Sequence, residues 1–168
     1  MRLFLCFETP RLDELQSRVR NLGVHASYPK EFHCTLAFWG GEEPRKIIDA
    51  LQGYSFKPFE CVLKGTGFFP HERRPRVFWA GIESGGLLEV YEDLVERLGL
   101  EPGFTPHLTI ARIKSGKNVE ALRALARETQ EKEWARFTVS ELLLKKSVST
   151  PNQGHEHETI FCVNACES

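Results

Sequence analysis

The chain has no apolar run long enough to span a bilayer and no recognisable secretory leader, which argues against a helical membrane protein or an exported one. The setting this predicts is cytoplasmic and reducing. An excess of charge of one sign is also missing. The net charge is −1 at pH 7, so no global field draws the molecule onto nucleic acid. Any such contact needs a local basic patch. Lys57, Lys64, Arg73, Arg74 and Arg76 are candidates, as are Arg112, Lys114 and Lys117, although most surface cations are simply solvated. The five cysteines, Cys6, Cys34, Cys61, Cys162 and Cys166, are odd in number and fit no zinc spacing. At least three fall in β-prone runs, where cysteine behaves as a small buried hydrophobe. No stretch reads as a linker. With 168 residues, 41% hydrophobic and 27% charged, a single domain over residues 1–168 is expected.

What is present is one short pattern, twice: His33-Cys34-Thr35-Leu36 and His107-Leu108-Thr109-Ile110. Each lies in an apolar, β-prone run, Phe32 to Trp39 and Leu108 to Ile113. Side chains alternate along a strand, so positions i and i+2 share a face. Each motif therefore aims an imidazole and a hydroxyl in one direction, and Cys34 turns to the opposite, core face. A lone strand histidine is usually structural. Two with matching threonines are hard to explain that way, because buried imidazoles need partners. Two such strands facing each other would bring two histidines and two threonines into one cleft, a kit for metal-free acid–base phosphoryl chemistry.

The repeat extends beyond the motifs. Arg2-Leu3-Phe4-Leu5 and Arg76-Val77-Phe78-Trp79 stand 74 residues apart, as do His33 and His107. Helical stretches follow at Arg11 to Leu22 and Leu87 to Leu98, each stopped by glycine, Gly23 and Gly99. After each motif comes another helix, Pro44 to Leu51 and Val119 to Glu128, and then a strand starting at Phe59 or Phe137. The expected fold is α+β: two pseudo-symmetric lobes of mostly antiparallel sheet with outer helices. The lobes would be roughly residues 1–67 and 75–146, with the cleft between them. Gly65 to Pro75 and Ser149 to Glu156 read as loops, and Phe137–Lys146 and His157–Val163 as the last two strands. Both halves of a site within one chain predict a monomer.

The paired motifs resemble the 2H phosphoesterase superfamily, whose signature is two His-x-Thr/Ser-x motifs. Within it the chain is similar to the RNA 2′,3′-cyclic phosphodiesterases, also called 2′-5′ RNA ligases. The resemblance runs through Arg2 to Glu8, Phe32 to Gly40, Gly65 to Gly81, and Pro106 to Arg112. It implies hydrolysis of an RNA 2′,3′-cyclic phosphate, with O3′ leaving, to give a 2′-phosphate. It implies His33 and His107 as acid and base, Thr35 and Thr109 on the non-bridging oxygens, and no metal or cofactor. Histidine suits both proton transfers because its ordinary pKa, about 6.5, lies near working pH. The residues do not say which histidine does which; His33 as acid and His107 as base is the starting assignment.

Arg112 divides the reasoning. It lies five residues from His107, so a regular strand turns it away from the site. Family precedent places it on the phosphate, which requires a bulge near Ala111. Trp39, Phe7 and Phe104 read first as core packing. Trp39 shares strand parity with His33 and Thr35, which makes it the candidate base-stacking residue of the three. His25, His71, His155 and His157 read as surface or loop, and His155-x-His157 lacks the further donors of a metal site. Other readings use the same residues. One is a 2′-5′ RNA ligase, or a phosphodiesterase on 2′-5′ oligonucleotides or small cyclic nucleotides. Another, of a different class, is an RNA-end-binding module without turnover.

Overall fold

The computed structural model describes residues 2–151 and 154–166. The first sequence unit supplies β1 (Arg2–Glu8), α1 (Asp13–Asn21), a two-residue β2 (Ala26–Ser27), β3 (His33–Gly40), α2 (Pro44–Leu51) and β4 (Phe59–Phe69). The second supplies β5 (Val77–Glu83), α3 (Gly85–Leu98), β6 (His107–Ile113), α4 (Val119–Glu128) and β7 (Glu133–Val139). Two more strands follow, β8 (Glu141–Thr150) and β9 (Gly154–Asn164).

Local chemistry sets the boundaries. Pro44 opens α2, where its fixed φ suits a helix start and its missing N–H costs nothing. The Ser84 hydroxyl caps α3 by accepting from the Leu87 N–H at 3.2 Å. Gly99 ends that helix in the left-handed region, φ 66°, where a Cβ would be strained. The unbroken run Leu3-Phe4-Leu5-Cys6-Phe7 makes β1 a strand buried on both faces. Leu3, Leu5 and Phe7 enter the main core, whereas Phe4 and Cys6 meet Leu143 in a small second cluster on the other side.

Two antiparallel sheets result, ordered β3-β1-β8-β9 and β2-β6-β5-β4-β7. They share one hydrophobic core, in which Phe7 of β1 meets Phe59 of β4 with ring centroids 5.7 Å apart. The helices pack outside: α3 on β4, α1 on β6, and α2 on α3. The motif strands β3 and β6 belong to different sheets and lie alongside each other.

The sequence repeat and the sheets do not coincide. The first repeat should have ended with its own closing strand near residue 67. That strand, β4, instead pairs with β5 and β7 in the second sheet, and β8 takes the matching place beside β1. Each sheet thus contains strands from both halves of the chain. Three boundaries also differ from expectation. Residues 137–146 are not one strand, because the chain leaves the second sheet at Val139 and enters the first at Glu141. Neither glycine nor proline marks that switch, so the sequence reads as continuous. The expected loop at Gly65 is half strand: β4 absorbs Gly65 as a bulge, φ 73°, and runs on to Phe69. The expected Ser149 to Glu156 loop is largely hairpin strand, and Asn152 and Gln153 lie outside the described residues.

Candidate active site

Both motif strands carry a bulge, and at the same place. On β3, Cys6 faces Thr35 and Leu5 faces Ala37, so Leu36 has no opposite number on β1. On β6, Trp79 faces Thr109 and Phe78 faces Ala111, so Ile110 has none on β5. An extra residue inverts alternation beyond it. Leu36 and Ala37 are both buried, and so are Ile110 and Ala111. The next residues, Phe38 and Arg112, therefore return to the face of the histidines and threonines.

The consequence is a cleft of about 520 Å³ lined by His33, Thr35, Phe38, His107, Thr109 and Arg112. Glu31, Phe69, Val77, Phe104 and Thr105 also stand in its walls. All five residues expected on the phosphate are thus brought together, Arg112 included. Trp39 is the correction. The bulge that brings Arg112 in has a counterpart that turns Trp39 out, onto the main core. Its neighbour Phe38, 68% exposed, is the aromatic residue that β3 offers to the cleft. Cys34 points into the core as expected. Burial pushes its thiol well up, and it lies against the backbone of His107.

The two histidines sit in different surroundings. His107 Nδ1 donates to the Thr105 carbonyl at 2.9 Å, which leaves Nε2 facing the cleft. The Phe69 ring meets it edge-on, 4.8 Å between centroids. Burial holds His107 below its ordinary pKa; the Thr105 carbonyl opposes that shift and the Arg112 charge adds to it. His33 stacks on Phe4 at 5.2 Å, and its buried Nδ1 has no hydrogen-bond partner. Burial, the Lys145 charge, His157 and Arg112 bring His33 down to about 4, with Glu31 alone opposing. An anionic substrate between the two would raise both values toward neutrality.

Beside His33 lies a charged cluster that sequence reasoning missed. Lys145 is buried, 3.6 Å from Glu31 and 3.8 Å from Glu8. His157 Nδ1 donates to the Glu31 carboxylate at 2.7 Å. Burial pushes the Glu31 carboxyl up, but the His157 hydrogen bond and the Lys145 charge bring it below its usual range. His157 is thus not free surface: it stands behind the cleft wall, bonded to the wall residue Glu31 and with its ring 6.0 Å from that of His33. A signal existed in Lys145, a cation directly after Leu142-Leu143-Leu144. Regular alternation along β8 puts it on the face of Leu143, opposite Phe4 of β1, and so beside the site rather than in solvent. His25 bonds Ser115 at the surface, as expected, and the His155 side chain lies outside the described residues. Among the described residues, no group of three or more His, Cys, Asp or Glu side chains is placed to hold a metal ion.

Known proteins share the sequence pattern and the fold. Residues 33–149, from the first motif histidine to the penultimate residue of β8, match the family described as the 2′-5′ RNA ligase superfamily. The RNA 2′,3′-cyclic phosphodiesterase of Aeropyrum pernix is 37% identical, across 94% of this chain and 97% of its own length. That of Archaeoglobus fulgidus is 33% identical, across 90% and 93%. The structure of TT0787 of Thermus thermophilus superimposes with a TM-score of 0.71 at 25% identity, covering 98% of this chain and 97% of that one. E. coli LigT complexed with 3′-AMP shares the fold at a TM-score of 0.70 and 17% identity, covering 99% and 98%. A duplicated His-x-Thr strand, a matching fold and relatives of this identity along nine-tenths or more of the chain have one meaning: the chain belongs to the 2′-5′ RNA ligase superfamily.

Proposed function

We propose that the protein hydrolyses the 2′,3′-cyclic phosphate at an RNA end, or on a small cyclic nucleotide, to a 2′-phosphate. The observation that carries this reading is the single cleft into which strand alternation aims two histidines and two threonines and one of two equivalent bulges brings an arginine. Water attacks phosphorus in line with O3′, and the P–O3′ bond breaks. One imidazole takes the proton of the water and the other gives a proton to O3′. Thr35, Thr109 and Arg112 donate to the non-bridging oxygens, where negative charge must be held. Phe38 stacks on the base. The five balancing groups are all side chains, so the scheme calls for no metal.

The asymmetry of the two histidines favours reversing the assignment made from sequence. His33, held to about 4 beside Lys145, is the neutral base. His107, whose Nδ1–H the Thr105 carbonyl supports, is the better proton carrier and serves as acid. The reading takes residues 1–168 as one domain acting as a monomer, since both motifs come from one chain. The five free cysteines fit a reducing cytoplasm. Among the described residues no helix is long and apolar enough to cross a membrane. The test is turnover of a 2′,3′-cyclic mononucleotide and a cyclic-phosphate-ended RNA in excess EDTA, with the product isomer resolved. EDTA-resistant 2′-phosphate is expected; activity abolished by EDTA, or a 3′-phosphate product, refutes the scheme.

A further inference from the structure

A second recess, of about 390 Å³, lies beyond the end of the catalytic cleft. It is lined by Arg73, Arg74, Arg76, Lys114 and Arg123, with Glu120 on its rim. The recess lies across the end of the β5–β6 ladder from the cleft. Val77 and Arg112 face each other across the β5–β6 ladder and line the cleft. One step outward, Arg76 and Ile113 line the recess, joined by the Ile113 N–H to the Arg76 carbonyl at 2.8 Å. We propose that this recess binds the phosphodiester backbone of single-stranded RNA on the 5′ side of the reacting end. The proposal rests on the reaction assigned to the cleft.

Three observations support it. First, the charge is not balanced locally. Arg123 pairs with Glu120 and donates to the Glu72 and Arg73 carbonyls at 2.7 and 3.0 Å, so it pins the loop. Arg73, Arg74, Arg76 and Lys114 have no carboxylate partner among the described residues, in a chain whose net charge is −1. Four unpaired cations gathered in one concavity suit a polyanion. Second, no side chain caps the N-terminus of the ten-residue α4, because Asn118 Nδ2 donates instead to the Leu22 and Gly23 carbonyls. The positive end of the α4 dipole adds to the field at the recess, which Gly116, Val119 and Glu120 help to line. Third, the direction is forced. A 2′,3′-cyclic phosphate is the 3′ end of its strand, so every further phosphate lies on the 5′ side. A recess one ladder pair away from the cleft meets the strand there or not at all. Contacts with phosphate carry no sequence preference, and they make binding salt-dependent.

The test compares two substrates with the same terminal nucleotide. One is the 2′,3′-cyclic mononucleotide and the other a short oligoribonucleotide ending in that cyclic phosphate. The variant is Arg74→Glu combined with Lys114→Glu, both exposed and outside the catalytic cleft. It is expected to lose about tenfold or more in kcat/KM on the oligonucleotide, mostly through KM, and to act on the mononucleotide within twofold. Its log–log salt dependence on the oligonucleotide should be shallower by about 1.4, at about 0.7 for each phosphate that the two cations no longer neutralise. Fluorescence anisotropy of a labelled, 2′-phosphate-ended oligonucleotide should show the same weakening. Unchanged oligonucleotide kinetics and binding, or equal losses on both substrates, would overturn the proposal. A wild-type protein that turns over neither substrate would instead overturn the reading of the cleft, and the anisotropy would still decide the recess.

Discussion

Replacing Phe38 by alanine tests the bulge and the base-stacking role together. Phe38 is 68% exposed, so only about a third of its surface supports the fold. Full burial of such a side chain is worth about 1.5–3 kcal/mol, which puts the stability cost of Phe38→Ala below about 1 kcal/mol. If the ring stacks on the substrate base, its loss removes about 1–3 kcal/mol of binding. That corresponds to a rise in KM of roughly 5- to 150-fold. Trp39→Ala should behave the opposite way. Trp39 packs against the core from the other face of β3. Truncating a fully buried tryptophan costs about 3–5 kcal/mol, so a partly buried one should cost about 1–3 kcal/mol. The assay is steady-state turnover of the cyclic mononucleotide together with urea unfolding of each variant. Expected is a kinetic defect without destabilisation for Phe38→Ala, and the reverse for Trp39→Ala. A Trp39→Ala protein that is stable but binds substrate poorly, beside a Phe38→Ala protein with wild-type KM, would show that β3 keeps regular alternation and that the bulge is wrong.

Other expectations concern the ionisable groups. His33→Ala and His107→Ala should each lose about 10²–10⁴-fold in turnover on a cyclic phosphate while keeping wild-type circular dichroism. With a 4-nitrophenyl phosphodiester, whose leaving group needs no proton, His107→Ala should recover and His33→Ala should not; the opposite pattern would restore His33 as acid. Stability should fall on acidification between about pH 6.5 and pH 4. His33 titrates at 6.5 unfolded and about 4 folded, so the unfolded chain binds the extra proton in that window. Its share is at most about 3 kcal/mol, and the lowered His107 adds with the same sign. Urea melts at pH 7 and pH 4.5 measure the loss, and His33→Gln should flatten it; an unchanged slope would contradict the shift. Lys145→Met removes a cation that depresses His33, so NMR titration of the His33 ring should move upward in pH; no movement would remove Lys145 from the account.

Much of the site could be read in the sequence. The 74-residue offset pairs Phe38 with Arg112 as surely as it pairs His33 with His107, and the parity rule places each threonine beside its histidine. Even the bulges left a trace. In Thr35-Leu36-Ala37-Phe38 and Thr109-Ile110-Ala111-Arg112 an apolar doublet interrupts strict alternation at the same point. The doublet does not suffice, because a bulge is defined by two residues opposing one on another strand. That partner is chosen by tertiary packing. Arg112 is where the difference shows: parity along its own strand excludes it, and the partner strand β5 brings it in.

The sequence by itself determined the local elements and the chemistry. Pro44, Ser84 and Gly99 fix helix ends, and two His-x-Thr strands supply the reacting groups, because φ/ψ limits, capping and strand alternation act over a few residues. Only the tertiary structure decided what lies far apart along the chain. It sent β4 into the second sheet and β8 into the first, split residues 137–146 between them, and set Glu31 against Lys145 and His157. It also joined Arg73, Arg74 and Arg76 to Lys114 in one recess. Pairings of this kind are selected by the burial of a common core from both halves of the chain, and no local rule encodes which strand will be the neighbour.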